Sequence, residues 1–500
     1  MSEKFKYIGR LTLDIAWVAV ILLLPITSLP LLSRLAGNTM VAPASFIPLV
    51  WLMLFWFIFY LTNRGRVPRE SIPFFFFISV VIVASASAFF LDIPPFKNGN
   101  ILGEEIRSIL TLAIGAAFYL VTASWLAQSR SRLVSTLKWI NISGLIMILW
   151  AMIQGVYIFL FQGKYPALLL DFQRIISTRD LFAARITAFA FEPSWLAQQL
   201  NLLYLPFWLA ATINRWSTFR FRLWKFSLEN ILLGIGVGVL FLSSRVGTLS
   251  LLLIIAFLGI YLNVYLARRL QSWSLARFVK FPALFKKIVR SLLPILILLA
   301  FLGIYILGAL ALVYGLSHVD LRLARFFQIK SLTQLKSLTS NIYLLFNYLA
   351  FAERYVYWVA GWNIFNGHLF LGVGLGNAGF FFQHALPAYG WSLPEVMQVY
   401  FRETALPNIK SLWVRLLAET GIVGFSSFIA WCYGLFRTAW SMRLNTRIPF
   451  KVIGWCGLFV LVAFIIEGFS TDTFALPYLW ISLGIVSAAG ALLRNPREEA

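Results

Sequence analysis

The amino-acid sequence predicts an all-α polytopic membrane protein. Hydrophobic residues make up 60% of the 500-residue chain and charged residues only 12%, and the mean hydropathy is +0.82. Ordinary soluble domains are about one quarter charged, so this composition indicates that lipid covers much of the surface. The two cysteines, Cys432 and Cys456, lie inside apolar runs, which argues against a disulfide framework or a cysteine metal site.

Apolar runs of about 20 residues predict about twelve transmembrane helices. They lie near residues 11–33, 41–62, 71–91, 105–127, 133–161, 188–213, 228–243, 247–266, 291–315, 411–434, 448–468 and 473–493. The first run is long enough to span a bilayer and is followed by further runs, so we interpret it as a helix and not as a signal peptide. The seventh and eighth runs almost touch, which predicts a tight turn at residues 243–247.

Basic residues predict the orientation of these spans. They cluster at the N-terminus and in alternate connections, near residues 64–69, 130–138, 215–225, 268–290 and 437–451. The positive-inside rule places these connections in the cytoplasm, and twelve spans then place both termini there as well. The net charge of +23 is therefore mainly an orientation signal, and we expect no nucleic-acid partner.

This topology divides the chain into four parts. Residues 1–162 carry the first five spans, 163–315 the next four, 316–410 a long outer loop, and 411–500 the last three. At about 95 residues the loop far exceeds a typical connection, and long loops often carry function. Alternating apolar and basic residues at 321–330 predict an amphipathic helix in the membrane interface. The aromatic spacing in 355–366 predicts a second helix, and both helices have the alternative role of capping the bundle.

Arginine is concentrated on the outer side, where the positive-inside rule predicts it to be scarce. The outer basic residues are Arg174, Arg179, Arg185, Arg245, Arg322, Arg325, Arg354, Arg402 and Lys410. A charge near the hydrocarbon edge needs a carboxylate partner or a bound anion. A salt bridge is the alternative for any single arginine, but the set as a whole favours an anion.

Several guanidinium groups together can neutralise a pyrophosphate without a metal. The sequence has no Asp-x-Asp pair and no His/Asp/Glu cluster at metal-ligand spacing. We therefore expect a lipid pyrophosphate held by cationic side chains, with no metal and no other cofactor.

Two further motifs occur in the same part of the sequence as the outer basic residues. Arg185 is followed after six residues by Glu192-Pro-Ser, where the glutamate is a helix-entrance residue or has a functional role, as a base or as a partner that orients an arginine. The segment Gly372-Val-Gly-Leu-Gly predicts a tight re-entrant turn at which the backbone approaches another element or a ligand.

Further basic residues lie at the outer end of the tenth span. Lys410 and Arg415 lie near this end, and Glu419 lies one helical turn deeper. We interpret Glu419 as the ion-pair partner of Arg415.

Five motifs, in order, resemble the O-antigen ligase and polymerase family, bacterial inner-membrane glycosyltransferases of the GT-C type. They are Arg-x6-Glu-Pro-Ser, Ser-Arg-x-Gly at 244–247, Arg-x3-Trp at 354–358, the Gly-x-Gly-x-Gly string and Leu-Leu-Ala-Glu-Thr-Gly-Ile-x-Gly. The resemblance covers roughly residues 185–490. It implies a GT-C-like fold with a partly helical periplasmic loop, an undecaprenyl-pyrophosphate-linked oligosaccharide donor, a glycan or lipid-linked acceptor, and a periplasmic active site.

The resemblance also implies residue roles. Arg185, Arg245 and Arg354 match donor-binding arginines, and we add Lys410 and Arg415 to the predicted pyrophosphate-binding set. Ligases of this family often carry a histidine where this chain has Lys410. That departure favours a polymerase, or a ligase-like enzyme of exopolysaccharide synthesis, over a lipid A-core ligase.

The expected chemistry is attack of an acceptor hydroxyl on the anomeric carbon, with inversion in a single displacement. Glu192, His384 and Lys410 are the candidate catalytic residues, and Glu192 and His384 are the candidate bases. The alternative is a transporter or flippase for a lipid-linked glycan. Its topology fits equally well, but the two halves of the chain lack matching motifs.

Overall fold

The computed structural model describes residues 3–37, 39–97, 99–277, 282–318, 324–325, 327–329, 331, 336–337, 339–348, 351–403 and 406–494. Helices dominate these ranges, with one two-stranded hairpin. The long and intermediate helices are α1 (Glu3–Leu22), α2 (Pro30–Leu35), α3 (Phe46–Thr62), α4 (Arg69–Ala88), α5 (Ile101–Leu126), α6 (Arg130–Phe161), α7 (Ala167–Ile176), α8 (Pro193–Gln199), α9 (Leu205–Ile213), α10 (Leu228–Phe241), α11 (Arg245–Arg277), α12 (Ala283–Ser317), α13 (Ile342–Tyr348), α14 (Ala352–Gly367), α15 (Ala378–Ala385), α16 (Pro394–Phe401), α17 (Leu412–Met442), α18 (Ile448–Glu467) and α19 (Pro477–Arg494). The strands are β1 (Arg222–Leu223) and β2 (Phe226–Ser227).

Within the described ranges, eight helices are long and apolar enough to cross a membrane. They are α4, α5, α6, α11, α12, α17, α18 and α19. Two shorter apolar helices, α3 and α10, join them. The prediction of an all-α membrane protein is therefore confirmed.

The first predicted span extends too far. Helix α1 ends at Leu22, whereas the apolar run continues to residue 33. Pro25 lies just beyond this end and cannot donate a backbone hydrogen bond, so the helix does not continue through it. The chain instead pairs with a later segment, because the Ala42 N–H donates to the Thr27 carbonyl at 2.9 Å and the Ala44 N–H donates to the Ile26 carbonyl at 3.0 Å.

The described chain forms two compact units, Met1–Thr248 with Val356–Ala500, and Leu249–Tyr355. In the first unit, α19 packs on α5, α17 packs on α4 and α18, and α9 packs on α10 and α18. Its core contains an aromatic cluster in which the Trp431 and Trp480 rings stack at 5.6 Å and Phe74 meets Tyr119 edge to face at 5.1 Å. Such ring pairs add stability beyond the area that they bury.

The second unit is built on two antiparallel helices, α11 beyond Thr248 and α12. The Tyr305 hydroxyl donates to the Leu252 carbonyl at 3.1 Å, and the Gln271 amide donates to the Arg290 carbonyl at 2.9 Å. Half of the predicted amphipathic helix lies outside the described residues, namely Leu321, Arg322, Leu323, Phe326 and Lys330. The second predicted helix of the long loop is present as α14.

Helix α17 is broken inside its apolar length. Gly421 has φ 62° and ψ −169°, a conformation outside the helical region. The backbone groups that the break exposes pair with residues 369–374. The four bonds are Val373 N–H to Ala418 O at 3.0 Å, Gly374 N–H to Glu419 O at 3.0 Å, Ile422 N–H to Leu369 O at 2.8 Å, and Val423 N–H to Phe370 O at 3.3 Å. A break at membrane depth is tolerated because the protein itself satisfies these groups.

Candidate functional site

The segment that follows Arg185 is fixed by one buried glutamine. The side-chain oxygen of Gln154, on α6, accepts hydrogen bonds from the Thr187 and Ala188 N–H groups, both at 3.0 Å. Its amide nitrogen donates to the Ala188 carbonyl at 3.0 Å. Ala188 adopts φ 48°, an unfavourable value for alanine that the surrounding bonds hold in place.

Glu192 lies at the entrance of α8, as the sequence predicts. It occupies the N-cap with extended backbone angles, and Pro193 begins the helix. One carboxylate oxygen accepts a hydrogen bond from Arg179 at 2.9 Å, and the other accepts one from the Ser194 hydroxyl at 3.2 Å. Glu192 therefore pairs with Arg179, a partner that the motif alone did not identify.

The predicted turn lies between α10 and α11, and Arg245 is the first residue of α11. The turn packs closely on α8, because a Cβ at Gly247 would lie 2.6 Å from the Cβ of Ala197. It also lies beside the Gln154-anchored segment, since the Ile186 N–H donates to the Leu242 carbonyl at 3.2 Å. The backbone that precedes Arg245 thus contacts the backbone that follows Arg185.

One buried asparagine links this turn to α18. Asn201 lies in a single π-helical turn, Leu200–Tyr204, between α8 and α9, a local feature often found at functional sites. Its amide nitrogen donates to the Gly247 carbonyl at 2.9 Å and to the carboxylate of Glu467 at 2.7 Å. Asn201 and Glu467 are both fully buried, so the turn is tied to the end of α18 by a charge-assisted bond.

The segment carrying Lys410 is attached to the same end of α18. The Leu412 N–H donates to the Gly468 carbonyl at 2.8 Å. Lys410 adopts φ 53°, its ammonium group forms an ion pair with Glu395, and it lies 4.4 Å from the centre of the Tyr357 ring. Lys410 is therefore a positioned, partly exposed cation.

Three of the predicted pyrophosphate-binding residues thus belong to one framework in the first unit. From Arg185 the connection passes through the turn to Arg245, then through Asn201 to the end of α18, and from there to Lys410. Arg354 lies at the start of α14, among the residues of the second unit.

The outer connection before Arg185 contains a paired arginine. Arg174 contacts Asp180 at 2.9 Å and Asp171 at 3.4 Å, and hydrogen bonding to Asp180 raises its pKa. The salt-bridge alternative is therefore confirmed for Arg174. The Tyr165 hydroxyl, whose pKa burial raises to about 12, donates to the Phe182 carbonyl at 3.1 Å.

The glycine-rich segment makes the close backbone approach that the sequence predicts. Gly372, Gly374 and Gly376 have φ values of 66°, 85° and 92°, which other residues rarely adopt. The Asn377 amide that follows donates to the buried carboxylate of Glu105 at 2.7 Å. The segment therefore contacts other elements of the protein rather than forming an open turn.

Arg415 and Glu419 form the predicted ion pair. The Arg415 Nε contacts the Glu419 carboxylate at 2.9 Å, and both side chains are almost completely buried, at 11% and 5% exposed. The remaining guanidinium nitrogens donate to the Asp472 carbonyl at 2.5 Å and to the Ser108 hydroxyl at 3.3 Å. The Gly376 backbone also hydrogen-bonds to Glu419, so this network joins α5, α17 and the glycine-rich segment.

His384 lies in the last turn of α15 with an exposed side chain. Among the described residues, no group of three or more His, Cys, Asp or Glu side chains is arranged to hold a metal ion.

No motif in the sequence pointed to Gln154, Asn201 or Glu467. Their signal is that each is a polar residue within or at the end of a mostly apolar stretch, and polar residues inside membrane segments are functional candidates by default.

No protein-family model matches this sequence, and no curated protein matches it significantly. The resemblance to the O-antigen ligase and polymerase family therefore stays a prediction based on the motifs.

Proposed function

We propose that this chain is a bacterial inner-membrane glycosyltransferase that transfers or polymerises an undecaprenyl-pyrophosphate-linked glycan on the periplasmic face, as an O-antigen or exopolysaccharide polymerase or ligase. In this proposal α1, α3, the Pro193–Ile213 stretch and α10 complete twelve spans with the eight longer helices. Both termini are then cytoplasmic, and the framework around Arg245 faces the periplasm.

The observation that carries the proposal is the hydrogen-bonded framework that links the segments of Arg185, Arg245 and Lys410. A pyrophosphate needs several cations at fixed positions, and a rigid backbone supplies such positions without reorganisation during the reaction. The buried Asn201 and Glu467 supply that rigidity, because unpaired buried polar groups are costly and the bonded arrangement is strongly favoured.

The reaction forms a bond between an acceptor hydroxyl oxygen and the anomeric carbon while the bond from that carbon to the lipid pyrophosphate breaks. The bonding electrons leave with the pyrophosphate, whose charge the cationic side chains neutralise. The hydroxyl proton passes to a base, for which Glu192 and His384 are the candidates. Lys410 is ion-paired with Glu395, an arrangement typical of a protonated ammonium group and not of a base.

Arg415 has a different character from the other cations. Its guanidinium group is held by three protein oxygens and is nearly buried. We infer that it positions α17 relative to the glycine-rich segment, and that Arg185, Arg245 and Lys410 are the pyrophosphate-binding cations of the first unit.

The broken helix α17 is the one observation that favours the alternative function, a transporter. Transporters commonly use discontinuous helices whose free backbone groups bind the substrate. Here the groups at the break are hydrogen-bonded to residues 369–374. The break therefore supports a packed junction better than a transport site, and the glycosyltransferase remains the better proposal.

The test is turnover by the full-length protein in detergent with a defined undecaprenyl-pyrophosphate oligosaccharide. Release of lipid pyrophosphate with longer glycans would identify a polymerase, and release only with an added acceptor would identify a ligase. Arg245→Ala should abolish release. Arg174→Ala is the matched control, because Arg174 is an outer arginine already paired with two aspartates. Donor binding without turnover under any condition would refute the enzyme and favour the transporter.

A further inference from the structure

The connection between α9 and α10 forms a small hairpin with an unusual surface. Strands β1 and β2 pair antiparallel, Arg222 with Ser227 and Leu223 with Phe226. Every residue from 220 to 226 is exposed. Trp224, at the tip, is 89% exposed. Large apolar side chains so exposed on a surface mark a contact with lipid or with another molecule.

Basic residues alternate with these apolar ones. The apolar members are Phe221, Leu223, Trp224 and Phe226, and the basic members are Arg220, Arg222 and Lys225. Seven consecutive residues thus present aromatic surface and three positive charges together. This combination matches the boundary between anionic headgroups and acyl chains, where tryptophan and basic side chains are both favoured.

The base of the hairpin is fixed by a buried carboxylate. Glu229, in the first turn of α10, accepts hydrogen bonds from the Thr218 N–H at 2.9 Å and the Thr218 hydroxyl at 3.0 Å. The Asn141 amide, on α6, donates to the same oxygen at 2.8 Å. The hairpin is therefore attached at a defined level of the bundle.

That level coincides with the start of the apolar part of α6. The first turns of α6 carry Arg130, Arg132 and Lys138, and the residues after Lys138 are mostly apolar. Asn141 is three residues beyond Lys138, or about 5 Å along the helix axis. The hairpin base thus lies at the height where the helix passes from charged to apolar surroundings.

From these observations we propose that the β1–β2 hairpin is a binding site for anionic phospholipid headgroups, with Trp224 and its apolar neighbours inserted at the membrane interface. Charge complementarity selects the occupant, because the hairpin residues 220–226 include three basic residues and no acidic one. The site is separate from the framework around Arg245 and does not depend on the proposed enzymatic activity.

The test measures the depth of the tip in full-length protein. A nitroxide is attached at Trp224→Cys in a chain whose Cys432 and Cys456 are replaced by alanine. The protein is reconstituted in nanodiscs of phosphatidylcholine, with or without phosphatidylglycerol. Collisions with oxygen report apolar surroundings, and collisions with a water-soluble nickel chelate report water. The reference is a label at Ser131→Cys, exposed in the first turn of α6.

We expect the label at 224 to be accessible to oxygen and protected from nickel, and the label at 131 to behave in the opposite way. Phosphatidylglycerol should shift the label at 224 deeper. The combined variant Arg220→Gln, Arg222→Gln and Lys225→Gln should lose that shift. The control variant Arg64→Gln, Arg66→Gln and Arg69→Gln removes the same charge from another connection and should keep it.

Three results would overturn the proposal. The first is nickel access at 224 equal to that at 131 in both lipid mixtures, which would place the tip in water. The second is protection from both reagents, which would place it against protein, such as a second copy of this chain. The third is an equal response of the two charge variants, which would remove the role of the hairpin residues in recognising anionic lipid.

Discussion

Arg415 offers the sharpest test of whether a predicted binding residue is instead structural. Replacing Arg415 with methionine keeps most of the apolar stem but leaves the carboxylate of Glu419 buried without its guanidinium partner. Breaking a buried ion pair in this way costs about 3–5 kcal/mol. Glu419→Gln should also destabilise the protein, and the double variant should recover a coupling energy of about 0.5–3 kcal/mol because neither charge is then left alone.

The assay is thermal unfolding in detergent, followed by tryptophan fluorescence, together with binding of the lipid-pyrophosphate donor. The matched control is Arg107→Met, which breaks an exposed pair with Glu104 at 2.7 Å. An exposed pair contributes at most about 1 kcal/mol, so this control should unfold near the wild-type temperature. If Arg415→Met is as stable as Arg107→Met but no longer binds donor, the structural role is wrong and Arg415 belongs to the binding set.

Three further predictions concern the break in α17 and the framework. Gly421→Ala should lower the unfolding temperature, because alanine rarely adopts the φ of 62° found there. The control Gly434→Ala, in the same helix, places its new Cβ where nothing lies within 4 Å and should be neutral or stabilising. Equal effects of the two variants on the unfolding temperature would contradict a strained backbone at Gly421. Asn201→Ala should reduce the rate of lipid-pyrophosphate release by about a hundredfold, the effect expected when reacting groups are misplaced by about 1 Å, and should change donor affinity far less. Unchanged turnover would show that Asn201 does not position the turn. Lys410→Gln should raise the donor KM. Glu395→Gln, which releases the Lys410 ammonium group from its ion pair, should lower the donor KM. If both variants raise the KM, the ion pair acts as a unit.

Much of the helical architecture could be predicted from apolar runs, because lipid requires long continuous helices. The run at 448–468 corresponds closely to α18, Ile448–Glu467. The run at 11–33 extends beyond the end of α1 at Leu22, because hydropathy does not register how Pro25 interrupts a helix. The break at Gly421 was also missed, since it depends on pairing with residues 369–374, a long-range contact that no local pattern reports.

The candidate site was predictable where partners lie one helical turn apart. The spacing of Arg415 and Glu419 indicated an ion pair, and the structure contains it. Glu192 was placed correctly at a helix entrance, but its partner Arg179 lies thirteen residues away in an irregular segment with no periodicity. Asn201 joins segments from three regions of the sequence, so its importance appears only when these regions meet in the fold.

The junction between α17 and residues 369–374 also bears on how the chain is made. A newly synthesised α17 that entered the bilayer alone would satisfy its backbone as an unbroken helix, because no other partner is present in hydrocarbon. Residues 369–374 precede α17 along the chain, so they leave the ribosome first and are available when the helix arrives. Residues 369–374 are therefore synthesised before the α17 backbone groups with which they pair. We expect a protein that is split between these two segments to assemble poorly, even when both pieces are produced in the same cell.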